Sequence, residues 1–406
     1  MTLRLTNATI IDGTGSSIVD GTLDVADGRI GYVGPAAGAP AHDARVIDLA
    51  GRTVLPGFLD CHVHLGMTLA NGPFHAVQND PALVVLESAA RIRATLDAGV
   101  TSARDLGGLT AGFREAIARG LIPGPRLRLA VKPISHTAGH GDMHLPGGRV
   151  ASATPELIEI ADTVDEVRTA TRRILRAGAD VVKICTTGGM GSRHDHPDDE
   201  GLTLEEVRTV VDELRRHGGR PVAAHAQGRQ GILTAIRGGV TSVEHGYGVD
   251  DECLDLMAEH GTYLVPTLST VFAIDKETMQ PYHYAKKVAW SEITRRNIGH
   301  AIAQGAKIAL GTDAGVGPHG QNLRELGYLV ELGMSPMNAI IAGTRTAAEL
   351  LGIVDEVGTL EAGKQADLVI TDVDPLREIK ALGDPSRVEV VMRAGAVVKD
   401  LLTLMG

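Results

Sequence analysis

The chain has 406 residues, 43% hydrophobic and 22% charged, a folded-protein composition that excludes disorder as the main state. Its formal charge is −11, from 39 Lys and Arg against 50 Asp and Glu, with no basic cluster to track phosphates and only one Trp, six Tyr and four Phe to stack on bases. Nucleic acid is therefore not an expected partner. Cys61, Cys185 and Cys253 are widely spaced with no CxxC pair, so they read as reduced thiols of a cytoplasmic protein. No apolar run approaches the roughly 18 residues of a membrane span. The opening MTLRLTNATIIDG lacks the basic and apolar regions of a secretion signal.

Residues 1–56 read as short strands between Asp-Gly, Gly-Thr-Gly and Pro-Gly breaks, and residues 351–406 contain similar β-branched runs, GKQADLVITDVDP and VEVVMRAGAVVKD. We expect one small β-sandwich domain assembled from both termini. Between them, residues 57–350 alternate helices with short apolar runs. Helices are predicted at 82–99, 165–178 and 204–219, each ending at Gly and followed at once by VTSARDL, ADVVKIC or RPVAAHA. The unit recurs with regular spacing: Gly99 precedes Asp105 by six, Gly219 precedes His225 by six, and Gly239 precedes His245 by six. Lys183 follows Gly178 by five, and Asp313 follows Gly305 by eight. Strands are predicted at 54–65, 100–106, 126–134, 181–184, 221–226, 242–246, 263–268 and 308–313. Eight such units favour an α/β fold of the (β/α)8 TIM-barrel class over an open doubly wound sheet. No Gly-rich dinucleotide fingerprint follows an early strand.

In such a barrel the C-terminal strand ends form the active face. The first strand ends DCHVHLG, and side chains two apart share a face, so His62 and His64 can reach one point while Cys61 and Val63 turn to the helices. Two chance histidines would look the same, and the other strands decide. Lys183 sits in the apolar run ADVVKIC, where lysine is rare unless paired or chemically used. His225 in VAAHAQG, His245 in SVEHGYG and Asp313 in LGTDAG stand at equivalent depth. Four histidines, a lysine and an aspartate on one rim fit a divalent-metal site, with lysine acting as a ligand once carbon dioxide converts it to a carbamate.

The ordered set LPGFLDCHVHLG, VVKICTTGGMGS, VAAHAQG, SVEHGYG and LGTDAG, with AGKQADLVI near the end, resembles the amidohydrolase superfamily over nearly the whole chain. The resemblance implies that His62, His64 and Asp313 bind the more buried of two divalent ions, most simply zinc. His225 and His245 would bind the second, and carboxylated Lys183 would bridge them. A metal-bridging hydroxide would attack a carbonyl, with Asp313 moving the proton to the leaving amine. Family deaminases and imidazolonepropionase place Glu three residues after the strand-five His; here that residue is Gly228, and Lys183 is present, which favours two-metal hydrolysis. SHTAGHGD and GPHGQN resemble the imidazolonepropionase-related branch of Xaa-Pro and Xaa-Arg dipeptidases. Those dipeptidases often carry Tyr where this sequence has Gln227.

We therefore expect hydrolysis of a C–N amide bond in a dipeptide or N-acyl amino acid. A carbamate, urea, lactone or other small xenobiotic is the alternative, and a catalytically inactive scaffold a third reading. His140 is expected to polarise the carbonyl, with His136, Gln227, Tyr247 and His319 as candidate substrate contacts. Each of these has a bland counterpart: loop histidines bonded to backbone, and Tyr247 capping the barrel. Arg193, His194 and His196 lie in the 186–202 loop, whose glycines would allow a lid, although a solvated loop is the commoner case. Cys185 reads as packing, and a homo-oligomer is compatible with the sequence.

Overall fold

The computed structural model describes residues 2–69, 75–143, 157–273, 276–277 and 279–403. From the N-terminus come β1 (Thr2–Ile11), β2 (Ser17–Ala26), β3 (Arg29–Pro35), β4 (Ala44–Asp48) and β5 (Thr53–Pro56). A parallel three-stranded sheet follows, built of β6 (Phe58–Val63), β7 (Val100–Asp105) and β8 (Arg126–Leu129). Next are β9 (Pro133–Ser135), β10 (Glu159–Ile160), β11 (Val182–Cys185), β12 (Val222–Ala226), β13 (Ser242–His245) and β14 (Tyr263–Val265). These make a parallel six-stranded sheet in the order β10-β9-β11-β12-β13-β14. The chain then returns as β15 (Leu368–Thr371), β16 (Val388–Arg393) and β17 (Ala396–Asp400). β15 pairs antiparallel with β5, so strands from both ends form one mixed eight-stranded sheet, β17-β16-β15-β5-β1-β2-β3 with β4 beside β1.

The helices start where local chemistry satisfies their free N–H groups. Leu204–Arg216 opens with a reciprocal capping box between Thr203 and Glu206, and Val164–Arg176 is capped by Thr163. Pro81–Asp97 has Asp80 at its cap and proline in its first turn. Gly99 and Gly178, with φ of 95° and 90°, turn the chain from helix into β7 and toward β11. One core lies between these helices and the parallel strands, including Ile92, Leu96, Val167, Ile174, Val207, Val210 and Ile236. A second core, with Leu5, Ile10, Leu23, Val54, Leu368 and Val390, belongs to the mixed sheet. Among the described residues no helix is long and apolar enough to cross a membrane.

Three predicted strands take a different form. The run 54–65 is two strands, because the chain changes sheets at Gly57: a Cβ there would lie 2.4 Å from the Thr101 side chain. The run 126–134 divides into β8 and β9 at Val131, whose φ is 66°. Residues 308–313 form no continuous strand; they make isolated parallel bridges, Leu264 to Ile308 and Val63 to Ala314. The cause is Asp60. Its buried carboxylate accepts from the Thr312 N–H (3.1 Å), the Thr312 hydroxyl (2.6 Å) and Asn322 Nδ2 (2.8 Å), so a side chain competes with the His62 carbonyl (3.3 Å) for the Thr312 N–H. The segment still bonds on both sides, with Ala309 N donating to Leu264 O (3.0 Å) and Cys61 N to Leu310 O (2.9 Å). At the opposite side of these sheets, Asp180 N donates to Leu129 O at 2.7 Å.

Removing the Asp60 carboxylate would strand several buried donors. Asp60→Ala is expected to lower stability by about 3 kcal/mol in urea unfolding, and Asp60→Asn, which keeps one acceptor oxygen, by less.

Candidate active site

The predicted ligand residues gather at the C-terminal ends of the parallel strands. Cys185 pairs with His225 and Ala226 with His245, which brings β11, β12 and β13 to the same level. One donor atom each from His62, His245 and Asp313 lies within 4.8 Å of the others, and all three residues are buried. His64 Nε2 approaches Asp313 Oδ1 at 3.3 Å and His62 Nε2 does so at 3.5 Å. The His225 ring centroid lies 4.6 Å from that of His245. The tightest set thus joins His245 to His62 and Asp313, with His64 and His225 on its flanks. Two of the predicted ligands leave the extended conformation, His245 at φ 71° and Asp313 at φ 56°, which turns side chains that the pleat would direct elsewhere.

A second layer of partners decides which ring nitrogen faces inward. His62 Nδ1 lies 2.9 Å from Glu244 Oε2, and a carboxylate only accepts, so Nδ1 carries the proton and Nε2 its lone pair. His64 Nδ1 donates to the Gly107 carbonyl at 2.8 Å with the same result. The Thr267 hydroxyl donates to Pro266 O and so accepts from His245 Nδ1, at 2.7 Å. His225 Nε2 donates to Gly188 O at 2.9 Å, leaving Nδ1 free. Burial, with the Lys183 charge, holds His62 well below the usual histidine range; burial, with the His140 charge, does the same for His225. Burial brings His245 down to about 3. Burial pushes the Asp313 carboxyl up, but the surrounding imidazoles outweigh it and hold it well below the usual range.

The set fits divalent metal. Among the described residues Lys183 Nζ and Asp313 Oδ1 are buried with no well-formed hydrogen bond, and only the His62 and His64 rings approach Asp313 Oδ1, so the fold leaves an amine and a cation-friendly oxygen in one imidazole-lined place. Burial lowers the Lys183 ammonium from its ordinary value, which favours the neutral amine that reacts with carbon dioxide. Imidazole lone pairs with a carboxylate are the donors of a zinc-type site.

His140 stacks on His225 with ring centroids 3.9 Å apart, and its Nδ1 lies 3.0 Å from Asp195 Oδ2. Glycine is required at 189, since a Cβ there would lie 2.4 Å from His140 Nδ1. The other substrate candidates take quieter positions. His136 bonds the Thr137 carbonyl at 2.8 Å. Tyr247 is fully buried, with its hydroxyl 3.0 Å from Thr267 Oγ1 and 2.8 Å from Thr270 Oγ1, which matches the capping role. Gln227 is buried, and its Oε1 has no donor. His319 Nε2 donates to Met67 O at 3.0 Å, while its Nδ1 is buried and unpartnered. Arg193, His194 and His196 are exposed, and burial pushes the Cys185 thiol up to about 12, consistent with packing.

Sequence reading missed Arg104, Glu244, Asp195, Thr267, His283 and Lys287. Arg104 and Glu244 form a fully buried ion pair at 2.7 Å, and Arg104 also donates to Cys61 O and Ser242 Oγ. The criterion that singled out Lys183, a charged residue in an apolar strand, applies equally to Arg104 in VTSARDL. Glu244 adjoins His245 in a quoted motif. Asp195, Thr267, His283 and Lys287 carry no comparable local signal.

The model of the Amidohydrolase family matches residues 53–398. The chain is 34% identical to an ochratoxinase of Aspergillus niger, over 96% of this chain and 85% of that protein. It is 30% identical to an imidazolonepropionase of Methylobacterium sp. (strain 4-46), over 92% and 93%. Its structure is similar to that of a Xaa-Pro dipeptidase with bound methionine in the active site, at TM-score 0.88 and 31% identity, covering 98% of this chain and 100% of that one.

Arg104→Met leaves the buried Glu244 carboxyl without its guanidinium partner. We expect a loss of about 3–5 kcal/mol in chemical unfolding. Metal affinity is expected to fall about 10- to 100-fold in a metal titration, because the Glu244 carboxylate that orients His62 loses the guanidinium that holds it in place.

Proposed function

The chain belongs to the amidohydrolase family and is a hydrolase of C–N amide bonds, and from that premise we propose that it uses two divalent ions, most simply zinc, to cleave a small peptide-like substrate, a dipeptide or an N-acyl amino acid. The observation that carries this is the buried pair Lys183 Nζ and Asp313 Oδ1, without a well-formed hydrogen bond, amid imidazoles whose free nitrogens are set by their outer hydrogen bonds. His62, His64 and Asp313 would hold one ion, His225 and His245 the other, and carboxylated Lys183 both. These ions would supply Lewis acidity and lower the pKa of a shared water to about 7.

The chain's own groups do the rest. Asp313 would take the proton of the attacking water on its carboxylate. That proton is taken as the water oxygen bonds to the carbonyl carbon, and it would then be delivered to the amine nitrogen as the C–N bond breaks. His140, oriented by the contact of its Nδ1 with Asp195 Oδ2, would polarise the carbonyl oxygen. Gln227 Oε1 would accept from a substrate N–H, and His319 would line the same mouth. The names of the relatives support the substrate class, since a Xaa-Pro dipeptidase acts on peptides and that structure holds methionine. His136 we place at the outer edge of the substrate path.

We also read the two parallel sheets, with segment 307–314 bonded to both β14 and β6, as one closed (β/α)8 barrel over residues 57–350. Residues 1–56 and 351–406 then form the companion β domain.

The test is amine release from Xaa-Pro, Xaa-Arg and N-acyl amino acids in zinc- and bicarbonate-supplemented buffer, together with metal content by elemental analysis. Lys183→Ala and Asp313→Asn are expected to reduce turnover at least about 1,000-fold while circular dichroism stays that of the wild type. Wild-type rates in either variant would remove the mechanism. Silence across the panel with two metals bound would move the search to carbamates, ureas and lactones.

A further inference from the structure

The helix Pro281–Ala303 is fixed across the mouth of the site at several points. Lys286 Nζ donates to the carbonyls of Gly189 (3.2 Å), Ser192 (2.8 Å) and Asp195. Asn297 Nδ2 donates to Tyr247 O at 2.9 Å, and Trp290 packs with Met190, Tyr247 and Val271. These anchors tie the helix to the segments that follow β11 and β13. One turn apart on its inner side lie His283 and Lys287, 9% and 2% exposed. Among the described residues, neither makes a hydrogen bond or ion pair. Trp290, one turn beyond Lys287, packs against Tyr247, whose ring lies 5.6 Å from that of His245, so this face of the helix looks toward the donor cluster.

A buried ammonium without an anion is unfavourable, and proteins retain one where it has a task. Asp313 cannot serve as its dedicated partner, because that carboxylate already faces His62 and His64. The anion must then come from outside the chain. We infer that Lys287, assisted by His283, binds the free carboxylate of the substrate's leaving amino acid. Burial draws Lys287 down only to about 8, so it stays mainly charged near neutrality, while burial brings His283 down to about 4, leaving a neutral ring that can donate one N–H. This assignment rests on the amide-hydrolysis reading of the same site. It makes the enzyme selective for substrates ending in a free carboxylate over those ending in an amide.

The single Trp290, three residues from Lys287, gives a binding signal independent of turnover. The metal-loaded enzyme is titrated with L-methionine, L-proline and their primary amides while Trp290 emission is followed. In parallel, kcat/KM is measured for N-acetyl-L-methionine and Xaa-Pro substrates with free and amidated C-termini. The wild type is expected to prefer the acids. Lys287→Met should reduce the acid-to-amide ratio about 100-fold, mainly through KM and Kd, as expected when one partner of a buried charge pair is truncated. Lys287→Arg should restore most of the preference. Lys287→Met is expected to melt at or above the wild-type temperature, because an unpaired buried charge opposes folding. Equal binding of acids and amides by the wild type overturns the inference without any variant, and so does an unchanged ratio in Lys287→Met. If no substrate is turned over but acids still bind through Lys287, the carboxylate site stands and the amide-hydrolysis reading falls.

Discussion

The site depends on one buried carboxylate. Glu244 accepts from Arg104 at 2.7 Å, from the Ser242 hydroxyl at 2.5 Å and from His62 Nδ1 at 2.9 Å. A buried ion pair is rarely stabilising in itself, because desolvation offsets its attraction unless every lone pair and proton is used. Here each guanidinium nitrogen and both carboxylate oxygens have a partner, and the arrangement yields orientation. Arg104 also donates to the carbonyl of Cys61, the residue just before His62, so β6, β7 and β13 are held in one mutual register. The same carboxylate fixes the tautomer that leaves His62 Nε2 facing Asp313. Strand pairing, ring orientation and donor chemistry therefore share a single electrostatic origin.

Around that fixed point the strands deliver the donors and the loops finish them. Gly107 O, Gly188 O and Thr267 Oγ1 lie beyond the strand ends, and each holds the proton of one imidazole. Burial keeps three of the four rings neutral, which preserves their lone pairs. The fourth, His64, is drawn down by burial, but Asp313 and Asp105 outweigh it and leave it above its ordinary value. Asp313 and His245 occupy the left-handed region, so the last residue of each segment turns instead of extending the pleat. Sheet geometry supplies position and local departures from it supply aim.

This division explains what the sequence made legible. Lys183, His225, His245 and the His62–His64 pair stood out because a polar residue at the end of an apolar strand has few bland explanations. Helix boundaries near 82, 165 and 204 followed from caps and glycines that act within a few residues. The segment 308–313 was misread as a strand because Asp60, some 250 positions away in the chain, competes for its ladder. No periodicity encodes such a contact. Arg104 and Glu244 were readable one at a time but not as a pair, since their meeting depends on the register between β7 and β13. Tyr247 illustrates the reverse limit: an inward-facing position two after a ligand leaves open whether the hydroxyl meets substrate or Thr267 and Thr270.

Lys286 and Lys287 show why the rest lay beyond sequence patterns. Neighbours on a helix point about 100° apart, so adjacent identical residues enter different surroundings. Lys286 is committed to three carbonyls of the segment that carries Gly189 and Asp195, and so supports the loop that positions His140 and His225. Lys287 is turned inward and, among the described residues, meets no protein acceptor. Had both lysines been solvated, the helix would be a cover and nothing more. Had both been paired, it would be a brace. With one of each, the same turn of helix holds the mouth of the site in shape and leaves a charge inside it, a combination that is useful only if something negative arrives there.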